Sequence, residues 1–104
     1  MTDEELFRHG TTAVHRLTLS PGEAMPWHRD PHPRVAVVIE GDLLEFEFRD
    51  SDERIPVEIH PGQTDWEKPS SRVHRAINIG KKTYQQITIY LLDRPDAIPQ
   101  PHEE

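Results

Sequence analysis

An all-β fold, a sandwich or barrel, is predicted by three features of this 104-residue sequence. Short stretches alternate apolar and polar residues or run in β-branched ones. They recur every roughly 10 to 14 residues, separated by Gly- and Pro-containing turns. No stretch long enough for a helix of three turns carries a convincing 3.6-residue period.

The elements follow in chain order. "AVHRLTL" (13–19) places Ala13, His15, Leu17 and Leu19 on one face. "SPGE" then turns the chain. "RVAVVIE" (34–40) is β-branched and nearly continuous, the pattern of a strand buried on both sides. "EGD" (40–42) is a tight turn. "LLEFEF" (43–48) alternates Leu44, Phe46 and Phe48 against Leu43, Glu45 and Glu47. "IPVEI" (55–59), "RVHRAINI" (72–79) and "TYQQITIYLL" (83–92) complete the strands, with "HPGQ" and "GKK" as turns. Residues 1–10 and the proline-rich 94–104 read as terminal arms of a single domain spanning 1–104.

Composition narrows the function. A net charge of -7 disfavours binding to a nucleic acid backbone. The longest apolar run is too short to span a membrane. There is no cysteine, so disulfide and thiolate chemistry are excluded, and the charged N-terminus lacks the apolar core of a signal peptide. The expected setting is cytoplasmic.

The chemistry concentrates in "PWHRDPHPRV" (26–35), at the entrance to the apolar strand. In an extended chain His28, Asp30, His32 and Arg34 share one side, while Trp27, Arg29, Pro31 and Pro33 share the other. Three prolines remove ladder donors, so 26–33 is expected at a sheet edge or bulge. Far along the chain, His74, Ala76 and Asn78 form a second one-sided row.

These spacings resemble the cupin superfamily, whose first motif is G-x5-H-x-H-x3-E-x6-G and whose second is G-x5-P-x-G-x2-H-x3-N. Gly22, His28, Asp30, Arg34 and Gly41 fall at the spacings of the first, and Pro69, Ser71, His74 and Asn78 at those of the second, with Gly62 one residue further upstream. "GEAMPWHRD", "GQTDWEKPS" and "VHRAINIG" further resemble small single-domain cupins, including those linked to beta-alanine breakdown, a likeness that fixes no substrate. The resemblance implies a double-stranded β-helix (jelly-roll) barrel, a central pocket, and a homodimer formed by strand addition or sheet packing.

Two departures from the motif matter. In metal-bearing cupins three histidines and the glutamate hold a divalent metal. Here Asp30 replaces the second histidine and Arg34 replaces the glutamate. Arginine stays protonated with no lone pair to donate, so the full four-ligand site is absent. His28, Asp30 and His74 remain as two imidazoles and a carboxylate, the ligand set of a facial triad, with iron, manganese, zinc or nickel as the candidate metals. The alternative is a hydrogen-bonded histidine pair in a barrel that has lost its metal, with Asp30 at the rim. His32 is a reserve ligand, or part of a "DPHP" turn.

Arg34 is a candidate clamp for a substrate carboxylate, or a salt-bridge partner for Asp30. It either swings out and leaves the metal to His28, Asp30 and His74, the arrangement favoured by Asp30's ligating oxygen, or stays in the pocket to bind an anion. Trp66 and Phe46 are candidates for ligand stacking or for the core, and Asn78 for bonding to turn backbone. The function expected is metal-assisted oxidation or isomerisation of a small acid. Its rivals are a non-catalytic small-molecule binder or sensor without metal, and a filled barrel serving only as a dimerisation scaffold.

Overall fold

The computed structural model describes residues 1–103 as nine strands and, among them, no helix. The strands are β1 (Thr2–His9), β2 (Thr12–Leu19), β3 (His28–Asp30), β4 (Arg34–Glu40), β5 (Leu43–Phe48), β6 (Arg54–Glu58), β7 (Thr64–Glu67), β8 (Ser70–Asn78) and β9 (Tyr84–Leu91). They form a five-stranded sheet, β1-β2-β9-β4-β7, and a four-stranded sheet, β3-β8-β5-β6. Every pairing is antiparallel. No helix is long and apolar enough to cross a membrane.

The inner faces meet as the alternation predicts. Leu17 and Leu19 of β2, Val38 of β4 and Tyr84 of β9 pack from the larger sheet onto Leu44 of β5 and Ala76 of β8 from the smaller one. Burying a large apolar side chain of this kind contributes about 1.5–3 kcal/mol. Gly41, between β4 and β5, has φ 143°, and a Cβ there would stand 2.8 Å from the Tyr84 ring. The turn thus needs glycine both for its backbone angle and for the close approach of the core.

Asn78 closes the opposite end of β8. Its Nδ2 donates to the carbonyls of Leu19 (3.0 Å) and Lys82 (2.9 Å), and its Oδ1 accepts from the Gly80 amide at 3.0 Å. This is the turn-bonding role its motif position implies.

Three segments differ from the sequence expectation. Residues 2–9 run as β1 along the sheet edge; its acidic residues are the charged side chains that suit an exposed edge strand, and they mask the period-2 signal. β7, "TDWE", is too short and polar to signal a strand. β4 is not buried on both sides: Ala36 and Val38 face the core, but Val35 and Val37 are half-buried and Ile39 is exposed. One chain supplies only two sheets, so the outer face of β4 has no second layer.

The expected edge character of 26–33 is present. β3 is the edge of the four-stranded sheet, and its register on β8 shifts between His28 and Asp30, a bulge. The C-terminal residues are strapped across the barrel beside it. Pro101 O accepts from the Arg29 amide (3.2 Å), the Glu103 amide donates to Trp27 O (2.7 Å), and Arg8 Nη1 donates to the carbonyls of Pro95 and Ala97.

Candidate functional site

The β3–β8 pairing sets the site, because it places His28 directly opposite His74. Their rings lie 4.5 Å apart between centroids, although 46 positions separate them in sequence. Each ring is held the same way. His28 Nδ1 lies 2.9 Å from Pro26 O, and His74 Nδ1 lies 2.7 Å from Arg72 O, the carbonyl two residues back in both cases. A carbonyl only accepts, so both Nδ1 atoms carry a proton and both Nε2 atoms are turned to the interior.

The Nε2 atoms face Asp30. Its Oδ2 is 2.7 Å from His74 Nε2 and 3.7 Å from His28 Nε2. Its Oδ1 accepts from Gln100 Nε2 at 3.0 Å. Asp30 is 1% exposed. Oδ2 receives no aligned hydrogen bond from any group, so its contacts with the histidines are close ion-pair distances and not directed bonds. Ligand atoms of His28, Asp30 and His74 all lie within 4.8 Å of one another, a spacing a metal ion can draw together.

Arg34 stays inside. Its Nη2 is 3.2 Å from Asp30 Oδ2, and its Nη1 is buried without a partner. The outward swing that would leave the carboxylate to the histidines alone does not occur. β4 parity explains this, since Arg34 shares its face with the core residues Ala36 and Val38.

The charges settle accordingly. Burial pushes Asp30 upward, but His74, Arg34 and Gln100 outweigh it and hold the carboxyl down at about 2. Burial dominates at His28 and lowers it, favouring the neutral ring. At His74 burial is overcome by Asp30 and the Arg72 carbonyl, and the net direction is upward.

These side chains line one end of a cavity of about 80 Å³ between the sheets. Phe46, Gln86 and Thr88 also line it, as does Glu67, opposite Arg34 in the β4–β7 register. A barrel filled by its own side chains is therefore not what forms. Two sequence candidates lie elsewhere. His32 sits beyond Pro31 and sets its Nε2 3.2 Å from Ile98 O, on the C-terminal strap. Trp66 is 59% exposed on the outer face of β7, neither core nor pocket, because its parity is opposite to that of Glu67. Gln100 was missed: it reaches Asp30 from 70 positions away, out of a proline-rich tail with no strand pattern.

Two antiparallel sheets packed face to face in this order match many solved structures. A cupin domain from Bordetella pertussis Tohama I superposes with a TM-score of 0.75 at 18% identity, covering 86% of this chain and 91% of that one. The chain folds as a cupin. A double-stranded β-helix domain protein from Klebsiella pneumoniae superposes at 0.70 and 18% identity, covering 99% of this chain and 84% of that one. An oxalate oxidase in complex with glycolate superposes at 0.61 and 19% identity, covering 82% of this chain but only 44% of that one. No protein-family model matches the sequence, and no curated protein does. Within this cupin barrel the His-Asp-His group and Arg34 share one end of the pocket.

Proposed function

We propose that this cupin binds a divalent transition metal through His28, Asp30 and His74, and that Arg34 holds the carboxylate of a small acid beside it for metal-assisted oxidation or isomerisation. The observation that carries this reading is the pair of locked imidazoles. Both spend Nδ1–H on a backbone carbonyl and turn Nε2 toward Asp30 Oδ2, a buried carboxylate oxygen with no aligned donor. Backbone-fixed histidines around an unsatisfied carboxylate oxygen are what a metal's outer partners produce. Two imidazoles and one carboxylate suit iron, manganese, zinc or nickel and leave coordination positions open. A metal held there supplies a Lewis acid that polarises a bound oxygen.

The chain's own residues do the rest. Gln100 fixes the Asp30 carboxylate through Oδ1. Arg34 lines the cavity and keeps Nη1 as a buried donor with no partner, available to an anion. A related fold is seen with a small hydroxy acid, glycolate, in the oxalate oxidase complex.

A second reading is favoured by one contact. The 3.2 Å pairing of Arg34 with Asp30 suits a metal-free binder or sensor of small acids. Elemental analysis of protein purified from metal-supplemented growth separates the two. A stoichiometric transition metal, lost in Asp30→Ala and retained more tightly in Arg34→Glu, supports the first. Its clean absence from the wild type supports the second.

A further inference from the structure

Two buried atoms that line one cavity have no aligned hydrogen bond: Asp30 Oδ2, an acceptor held only by its ion-pair contacts to His28, His74 and Arg34, and Arg34 Nη1, a donor. Buried polar groups are almost always satisfied, so each marks something the site is built to receive. The acceptor asks for a cation and the donor for an anion. We propose that the cation and a short carboxylate bind here as an obligate pair, each weak alone, because Arg34 makes the metal's affinity conditional on the anion. This rests on the metal reading above and adds to it which ligand the site takes and in what dependence.

The Arg34–Asp30 contact carries the argument. Asp30 contributes -1 and the guanidinium of Arg34, 3.2 Å from its Oδ2, contributes +1. His28 and His74 as ligands are neutral. A divalent ion drawn to Asp30 Oδ2 is set against the guanidinium 3.2 Å from the same oxygen, and Arg34 repels it directly. A carboxylate bound at Arg34 beside the metal would remove that repulsion and satisfy the orphaned donor together. Two further acids line the cavity, and neither pairs with Arg34. Glu67, opposite Arg34 in the β4–β7 register, forms no ion pair with it, and Asp3 is engaged by His15.

The cavity sets the size of the acid. At about 80 Å³, and with each water-sized position needing about 10–15 Å³, it holds about six non-hydrogen atoms including the metal's own place. That admits a carboxylic acid of two or three carbons and excludes an aromatic one. Gln86 and Thr88, joined at 2.8 Å, also line the cavity and suit a hydroxyl or second oxygen on such an acid.

The test is calorimetric titration of metal-free protein with zinc sulfate, with and without excess acetate, and with benzoate as the size control. Acetate is expected to tighten zinc at least tenfold, zinc to tighten acetate by the same factor as linkage requires, and benzoate to do nothing. Arg34→Met is expected to bind zinc without acetate as tightly as the wild type does with it. Arg34→Lys, which keeps the charge, is expected to retain the dependence and covers the case in which Arg34→Met fails to fold. If zinc binds the wild type equally with and without acetate, and Asp30→Ala abolishes it, the coupling is overturned while the metal site stands. If zinc binds neither the wild type nor the Arg34 variants under either condition, the metal reading falls and the pair with it.

Discussion

Arg34 Nη2 stands 3.2 Å from Asp30 Oδ2, inside the barrel, at the position where a metal-bearing cupin would place an acid. The contact sets a cation against the carboxylate that the two histidines face. Asp30 becomes the hub of two histidines, an arginine and Gln100. Its loss therefore touches stability as well as binding.

Asp30→Ala should destabilise the metal-free protein by about 3–5 kcal/mol, the usual cost of removing one partner from a buried charge pair. The half-buried Arg34 is left without its counter-ion, and the raised His74 loses the carboxylate that raises it. Urea unfolding followed by far-UV circular dichroism reads this directly. A loss under 1 kcal/mol would show that water already compensates the pocket and that Asp30 is not its hub.

How much of this was legible in the sequence depends on whether a signal was local. Leu44, Phe46 and Leu17 announce their strands by alternation, and the His28 and His74 pairing follows from motif spacing. Trp66 was misplaced because a four-residue polar strand gives no parity to read, so the outward face could not be told from the inward one. Gln100 was invisible because its role comes from the strap folding back, a long-range contact with no periodicity. Whether Arg34 faced in or out turned on electrostatics against parity, and parity won, since turning it outward would also move Ala36 and Val38 off the core.

Asn78→Ala should cost about 2–4 kcal/mol. The residue is 1% exposed and satisfies two carbonyls and one amide, and each buried group left unpaired costs about 1–3 kcal/mol, partly recovered by water. Asn78→Asp should be nearly as damaging, because a carboxylate accepts from Gly80 but cannot donate to Leu19 and Lys82. Denaturation midpoints of the two variants should fall together, whereas an intact Asp variant would show that Gly80 alone matters.

His15 should make β1 docking depend on pH. Its Nδ1 meets Asp3 Oδ1 at 3.0 Å and its Nε2 meets Glu5 Oε1 at 3.1 Å, with the Tyr90 ring edge-on and Arg8 sharing Glu5. The hydrogen bond with Asp3 raises His15 above its ordinary 6.5, with burial opposing and Glu5 adding to the rise. A raised folded value means the contribution is complete below 6.5 and is lost as pH climbs through the folded value. The stability gap between wild type and His15→Gln should therefore be widest near about pH 6 and narrow by about pH 9. Amide exchange in residues 2–9 should quicken over the same range, and a gap that is flat with pH would mean His15 is bound as the neutral ring.

The outer face of the five-stranded sheet should pair two copies of the chain. Cross-strand register sets Phe7 beside Val14, Val14 beside Ile89, Ile89 beside Val35 and Val35 beside Trp66, one apolar row across all five strands. Phe7 and Trp66, at its ends, are each 59% exposed. The row explains the continuous β-branched sequence of β4, which reads as buried on both faces while a single chain covers only one. An apolar row across a whole sheet with both aromatic ends exposed is uncommon on a monomer, and a self-complementary row suits a two-fold axis. Sedimentation at tens of micromolar should give twice the 12.1 kDa chain mass. Val35→Glu, at the patch and outside the pocket, should give the single-chain mass with an unchanged β spectrum. A wild type that sediments as one chain removes this interface, and a Val35→Glu variant that stays dimeric moves it to the β1 or β7 edge.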